Sequence, residues 1–113
     1  MENIKEKAKA ALADGTIHGD GHSILSPEAY APHFTVDDLG ALVGTYKSDR
    51  SSVKSTIWDR NGNPMHEARG VYNLDFLRWL CGQVGGDTAV SHGFYGRGTQ
   101  ARALVEEIAR AVA

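Results

Sequence analysis

Only one cysteine, Cys81, occurs in the chain, so it has no internal disulfide and no thiolate cluster to hold a metal, which fits a reducing compartment. No apolar run approaches the length a bilayer span requires, and the opening "MENIKEKAKAALADG" mixes both charge signs with alanine where a signal peptide would be apolar. A cytoplasmic protein with no membrane role is therefore expected. Charge of one sign is scarce as well: the formal net charge is −2, too small for a general positive field that would grip phosphate backbones. Anion recognition would have to be local. Missing too are the glycine-lysine-serine/threonine end of a Walker loop, the strand and acid of a dinucleotide fold, a GxSxG elbow and an HExxH pair. Nothing thus points to a cofactor or to a catalytic constellation of high specificity.

What is present is an ordinary globular composition, 42% hydrophobic and 23% charged over 113 residues, enough to bury one core and too short for two. Residues 1–113 are read as a single domain.

Along the chain, Ile4, Ala8, Ala11 and Leu12 follow helical spacing, and Gly15 stands ready to end that helix. The glycines and prolines of "TIHGDGHSILSPEAYAPHF" favour turns and short extended pieces. Thr35 reads as an N-cap with Asp38 in capping-box position, Phe34 can staple onto Leu39, and a helix is predicted over 36–43 with Leu39, Leu42, Val43 and Tyr46 on its buried side. The pattern then shortens to period two, and Asn61-Gly62 is a strong hairpin signal. Two antiparallel strands are predicted, about Ser52 to Asp59 and about Met65 to Tyr72. Asn73 resembles an N-cap for a third helix running to Val84, with Leu77, Leu80, Cys81 and Val84 spaced for burial and Gly85-Gly86 as its stop. "DTAVS" is read as one more short strand. The closing helix carries Ala101, Leu104, Val105, Ile108 and Val112 on one side and is expected to pack on the sheet. The fold class predicted is α+β: a small antiparallel sheet built around the hairpin at about 52–72, packed by about four short helices.

Three segments carry candidate chemistry. In "GFYGRGTQAR" a glycine-rich turn enters a helix, and its outward amides at Gly96, Gly98 and Thr99 with Arg97 and Arg102 can hold a phosphate or carboxylate, while Phe94 and Tyr95 can stack on a base. The alternative without a ligand is a tight turn capped by Thr99, with Phe94 and Tyr95 in the core. In "HGDGH", His18, Asp20 and His22 fall two apart, so an extended backbone would aim all three at one metal ion, with His33 as a further donor. A mobile loop is the simpler account of the same glycines. "YKSDRSSVKS" supplies Lys47, Arg50 and Lys54, which can touch phosphates or serve as a solvated lead into an edge strand. Cys81 is expected in the core, Asp37-Asp38 and Glu106-Glu107 have capping and solvation roles, and Trp58 and Trp79 are expected as core anchors or interface hot spots.

By elimination the leading expectation is a non-catalytic binding protein that works by contact with a macromolecular partner, most naturally a protein. Small proteins of this sort are frequent among phage and mobile-element accessory proteins, so an anti-defence role as an inhibitor or adaptor is one form this expectation takes, suggested by size and not by any motif. A nucleotide or nucleic acid held between the 94–102 turn and the 47–54 loop is the second expectation. A small metal-dependent enzyme using His18, Asp20 and His22 is the third. An unpaired strand edge leaves a homodimer open.

Overall fold

A computed structural model describes residues 3–35, 37–43, 54–58, 61, 64–93 and 95–113. The architecture is α+β: α1 spans Ile4–Ala13, β1 Ile24–Leu25, α2 Pro27–Tyr30, α3 Gly40–Val43, β2 Lys54–Trp58, β3 Pro64–Arg69, β4 Val71–Tyr72, α4 Asn73–Gln83 and α5 Arg97–Val112, with a 3₁₀ turn at Thr88–Ser91 before the last helix. Among the described residues no helix is long and apolar enough to cross a membrane.

Capping chemistry sets several of these boundaries. Asn3 caps α1 through its side chain, which accepts the Glu6 N–H at 2.9 Å, and Gly15 leaves the helix at φ +84, a value that costs any residue with a Cβ. Thr35 and Asp38 form the expected reciprocal box: the Asp38 N–H donates to Thr35 Oγ1 at 3.0 Å and the Thr35 N–H to Asp38 Oδ2 at 2.9 Å. The chain makes turns before α3 settles at Gly40, so the helix is shorter than the 36–43 predicted.

The hairpin forms, with Lys54 opposite Arg69, Ser55 opposite Ala68, Thr56 opposite Glu67, Ile57 opposite His66 and Trp58 opposite Pro64, across an irregularity at Ile57/Trp58. Its second strand does not continue to Tyr72. At Gly70 the chain leaves the ladder, and β4 pairs instead with β1, Ile24 opposite Tyr72 and Leu25 opposite Val71. A glycine inside a strand weakens the ladder and permits such a bend.

The predicted strand at "DTAVS" is the 3₁₀ turn: Asp87 accepts the Ala89 N–H at 2.9 Å and so favours a helical start over an extended one. The last helix also packs differently from expectation. Its buried residues Ala101, Leu104, Ile108 and Val112 meet α4, the 3₁₀ turn and α1 rather than a sheet. Two-stranded ribbons offer too narrow a face, whereas α4 is apolar around much of its circumference, burying Leu74 and Phe76 as well as the predicted Leu77, Leu80 and Cys81. Val84, just beyond it, is buried as predicted. Phe34, Phe76 and Trp79 extend this core as an aromatic cluster, Phe34 meeting Phe76 edge-on at 5.4 Å between centroids. Leu39 and Leu42 are buried as predicted; the side chains of Val43 and Trp58, and all of Tyr46, lie outside the described residues.

Ion pairs and hydrogen bonds tie the helices to neighbouring segments. Lys7 of α1 donates to Asp38 Oδ2 at 2.6 Å, and Asp14 Oδ2 meets His33 Nε2 at 2.5 Å. On α5, Glu107 is almost buried; its carboxylate accepts from Arg110 and from the Asp87 N–H at 2.8 Å, which ties the 3₁₀ turn to the helix. The His33 bond and then those from Thr16 hold Asp14 at about 2; Arg110 and then the Asp87 amide hold Glu107 at about 2. Both values are depressed, so the stability they contribute is complete above the ordinary 3.8 and 4.5 and is lost as pH falls through about 2. Thermal melts of the native chain and Glu107→Gln between neutral pH and the acid limit check this. The native protein should be the more stable near neutrality and the difference should shrink towards zero at the acid end; a constant difference would contradict it.

Candidate functional site

The glycine-rich turn and the HGDGH segment, far apart in sequence, lie against one another. Gly96 is the N-cap of α5, in extended conformation at φ −82, ψ 133, and supplies no side-chain cap. Thr99 is not the cap. It sits in the first turn, where its hydroxyl accepts from Arg102 at 3.5 Å. The Gln100 N–H returns to Gly96 O at 3.0 Å, while the N–H groups of Arg97, Gly98 and Thr99 have no acceptor among the described residues. The first turn also contains no acidic residue, although the positive end of a helix dipole favours one.

Loop 18–22 crosses this turn at backbone contact. A Cβ built on Gly21 would stand 2.3 Å from both the carbonyl carbon and oxygen of Arg97 and 2.7 Å from the Gly98 nitrogen. One on Gly19 would stand 2.9 Å from Arg102 Cγ. Two glycines are thus needed for close approach, a use distinct from turn formation. Asn73 holds the loop from beneath. It is fully buried, its Nδ2 donates to His18 O at 3.1 Å and Asp20 O at 2.8 Å, and its own N–H donates to Ser23 O at 2.9 Å. Asn73 was expected as the N-cap of α4, but Tyr72 occupies that position; the amide side chain is spent on the loop instead.

His18, Asp20 and His22 are exposed. The Asp20 N–H donates to His18 Nδ1 at 3.3 Å and the His22 N–H to Asp20 Oδ1 at 2.8 Å, so a ring nitrogen and a carboxylate oxygen of the expected metal set are engaged with the loop's own backbone. His33 is turned to Asp14. Among the described residues no three His, Cys, Asp or Glu side chains gather to hold a metal ion. Cys81 is buried, and desolvation followed by the charges of Glu107 and Asp87 pushes its thiol up, away from the thiolate a nucleophile needs. Glu107 is not the solvated member of a carboxylate pair that its sequence context implies; the signal was Arg110, three residues on.

Tyr95 is fully exposed, which overturns its expected place in the core. Arg97 and Arg102 are also exposed, and neither has a carboxylate within ion-pair distance among the described residues. Phe94, Lys47 and Arg50 lie outside the described residues, and Lys54 opens β2 with its side chain not described. Sequence reasoning found both segments and missed their contact, because what joins them is the absence of two β-carbons and one buried amide.

Comparison with known proteins finds nothing similar: no family model matches, and neither a curated protein nor a solved structure matches this chain.

The two kinds of glycine in the fold separate on substitution. Gly21→Ala must displace the α5 backbone and should cost about 1–3 kcal/mol, the range of overpacking. Gly40→Ala meets nothing within 4 Å at the start of α3, and should be neutral or stabilising by up to roughly 1 kcal/mol. Denaturant titration of both variants measures this; equal effects would contradict the close approach.

Proposed function

We propose that this is a non-catalytic binding protein that acts by contact with a macromolecular partner, as an inhibitor or adaptor does, through the surface where loop 18–22 meets the start of α5. The observation that carries the proposal is Tyr95, a large ring left wholly in solvent beside the exposed Arg97. Tyrosine and arginine dominate the energetic centres of protein interfaces, since each offers broad contact area with a polar end. Support also comes from the rigidity of the surroundings: a loop clasped by Asn73 and laid on a helix loses little entropy when a partner docks. A photo-crosslinking phenylalanine analogue at position 95, expressed in the native host, should capture a specific macromolecule that the same analogue at the exposed position 10 of α1 does not. The same background at both positions would remove the proposal.

A second reading is favoured by the amides of Arg97, Gly98 and Thr99, which have no acceptor among the described residues and can receive a nucleotide phosphate. Titration with mononucleotides and cyclic dinucleotides should then raise the melting temperature of the native chain and not that of Arg97→Ala. An unchanged melting temperature at millimolar ligand excludes it.

A further inference from the structure

We infer that the surface formed by Tyr95, Arg97 and Arg102 with loop 18–22 recognises an acidic segment of a protein partner. The inference rests on the contact function proposed above and adds the chemistry of what is contacted. Arg102 carries much of the argument. Its stem lies under Gly19, with Cγ 2.9 Å from the place a β-carbon would occupy, and its head turns back along α5 to Thr99 Oγ1 at 3.5 Å. The guanidinium therefore reaches back towards the first turn, which Arg97 opens, and no carboxylate of the described residues pairs with either. Cations are disfavoured at the positive end of a helix dipole, so Arg97 at the first position of a 16-residue helix whose first turn holds no acid, joined by Arg102 reaching back from the second turn to Thr99, makes a positive surface with no paired carboxylate among the described residues. Asp20 is the loop's only carboxylate and is partly engaged by the His22 N–H, which leaves two guanidinium groups against one carboxylate.

Charge complementarity then sets the partner's sign, and the small size of the patch sets its kind. An oligonucleotide extends its charge along a backbone well beyond a patch of two guanidinium groups. A protein can present two or three carboxylates at one place with an apolar side chain for Tyr95 between them, which is the pattern of a local hot spot rather than of a backbone track.

The test uses the full chain and three labelled twelve-residue probes in fluorescence anisotropy: a glutamate- and aspartate-rich peptide with one leucine, its glutamine and asparagine counterpart, and a single-stranded oligonucleotide of the same charge as the first. The acidic peptide should bind in dilute salt, the neutral one should not, and raising ionic strength from about 50 to about 300 mM should weaken the complex. Arg97→Gln, Arg102→Gln and Tyr95→Ala should each reduce affinity at least about fivefold, the scale of an interface hot spot. Lys9→Gln, on an exposed part of α1, should leave it unchanged. Gly19→Ala, which pushes the Arg102 stem aside, should weaken binding with the circular dichroism spectrum retained. No binding of the acidic peptide, an equal loss with Lys9→Gln, or tighter binding of the oligonucleotide through the same residues would each overturn the inference. If position 95 crosslinks a protein that these charge variants still hold, the contact function stands and the acidic partner does not; if position 95 captures nothing, the contact function itself has failed.

Discussion

The passage of loop 18–22 across the first turn of α5 at backbone distance is the constraint around which the functional surface is organised. It needs a residue without a β-carbon at position 21, since the Arg97 carbonyl occupies the space a side chain would take. It also needs a donor beneath the loop, and the buried Asn73 provides one whose two hydrogen bonds run to backbone oxygens rather than to side chains. A side-chain amide fixed by the core of α4 can therefore set the position of a loop whose own histidines and aspartate remain in solvent. The same contact lays Gly19 on Arg102, so the placement of an exposed cation depends on a residue that has no side chain of its own.

Elsewhere the fold is held by a continuous core on α4 and by bonds that close its corners. α4 is buried on most of its surface, and α5, α3 and the short β1–β4 ladder pack round it. At the edges the same chemistry recurs: an acid accepts a backbone amide together with a basic side chain. Glu107 does so between Asp87 and Arg110, and Asp38 between Thr35 and Lys7. The first turn of α5 breaks this habit by having a cation, Arg97, and no acid, and that contrast gives the surface its electrostatic character.

Periodicity and capping made much of the fold legible. The stripe of Leu77, Leu80, Cys81 and Val84, the Thr35–Asp38 box and the Asn61-Gly62 hairpin are local signals, each decided within a few residues, and the α+β class follows from their order. What local signals did not decide was pairing at a distance. Val71 and Tyr72 carry strand propensity whether they continue β3 or join β1, and they pair with β1 once the chain has left the β2–β3 ladder at Gly70. "DTAVS" has β-branched residues, yet the Asp87 side chain turns it into a 3₁₀ helix. At the candidate site the glycines were visible and their purpose was not, because a close approach looks in sequence like a turn. Tyr95 was misplaced for a related reason: aromatic residues beside a helix start are read as core unless something places them outside.

These observations reduce to one proximity, that of Gly21 to the Arg97–Gly98 peptide. In an isotope-labelled sample of the native chain, nuclear Overhauser contacts between the Gly21 α-protons and the Gly98 amide proton measure it directly. Strong cross-peaks, lost or weakened when Asn73→Ala frees the loop, are the predicted result. Their absence in the native chain, with α4 and α5 otherwise formed, would show the loop lying elsewhere and would leave Tyr95, Arg97 and Arg102 without the surface described.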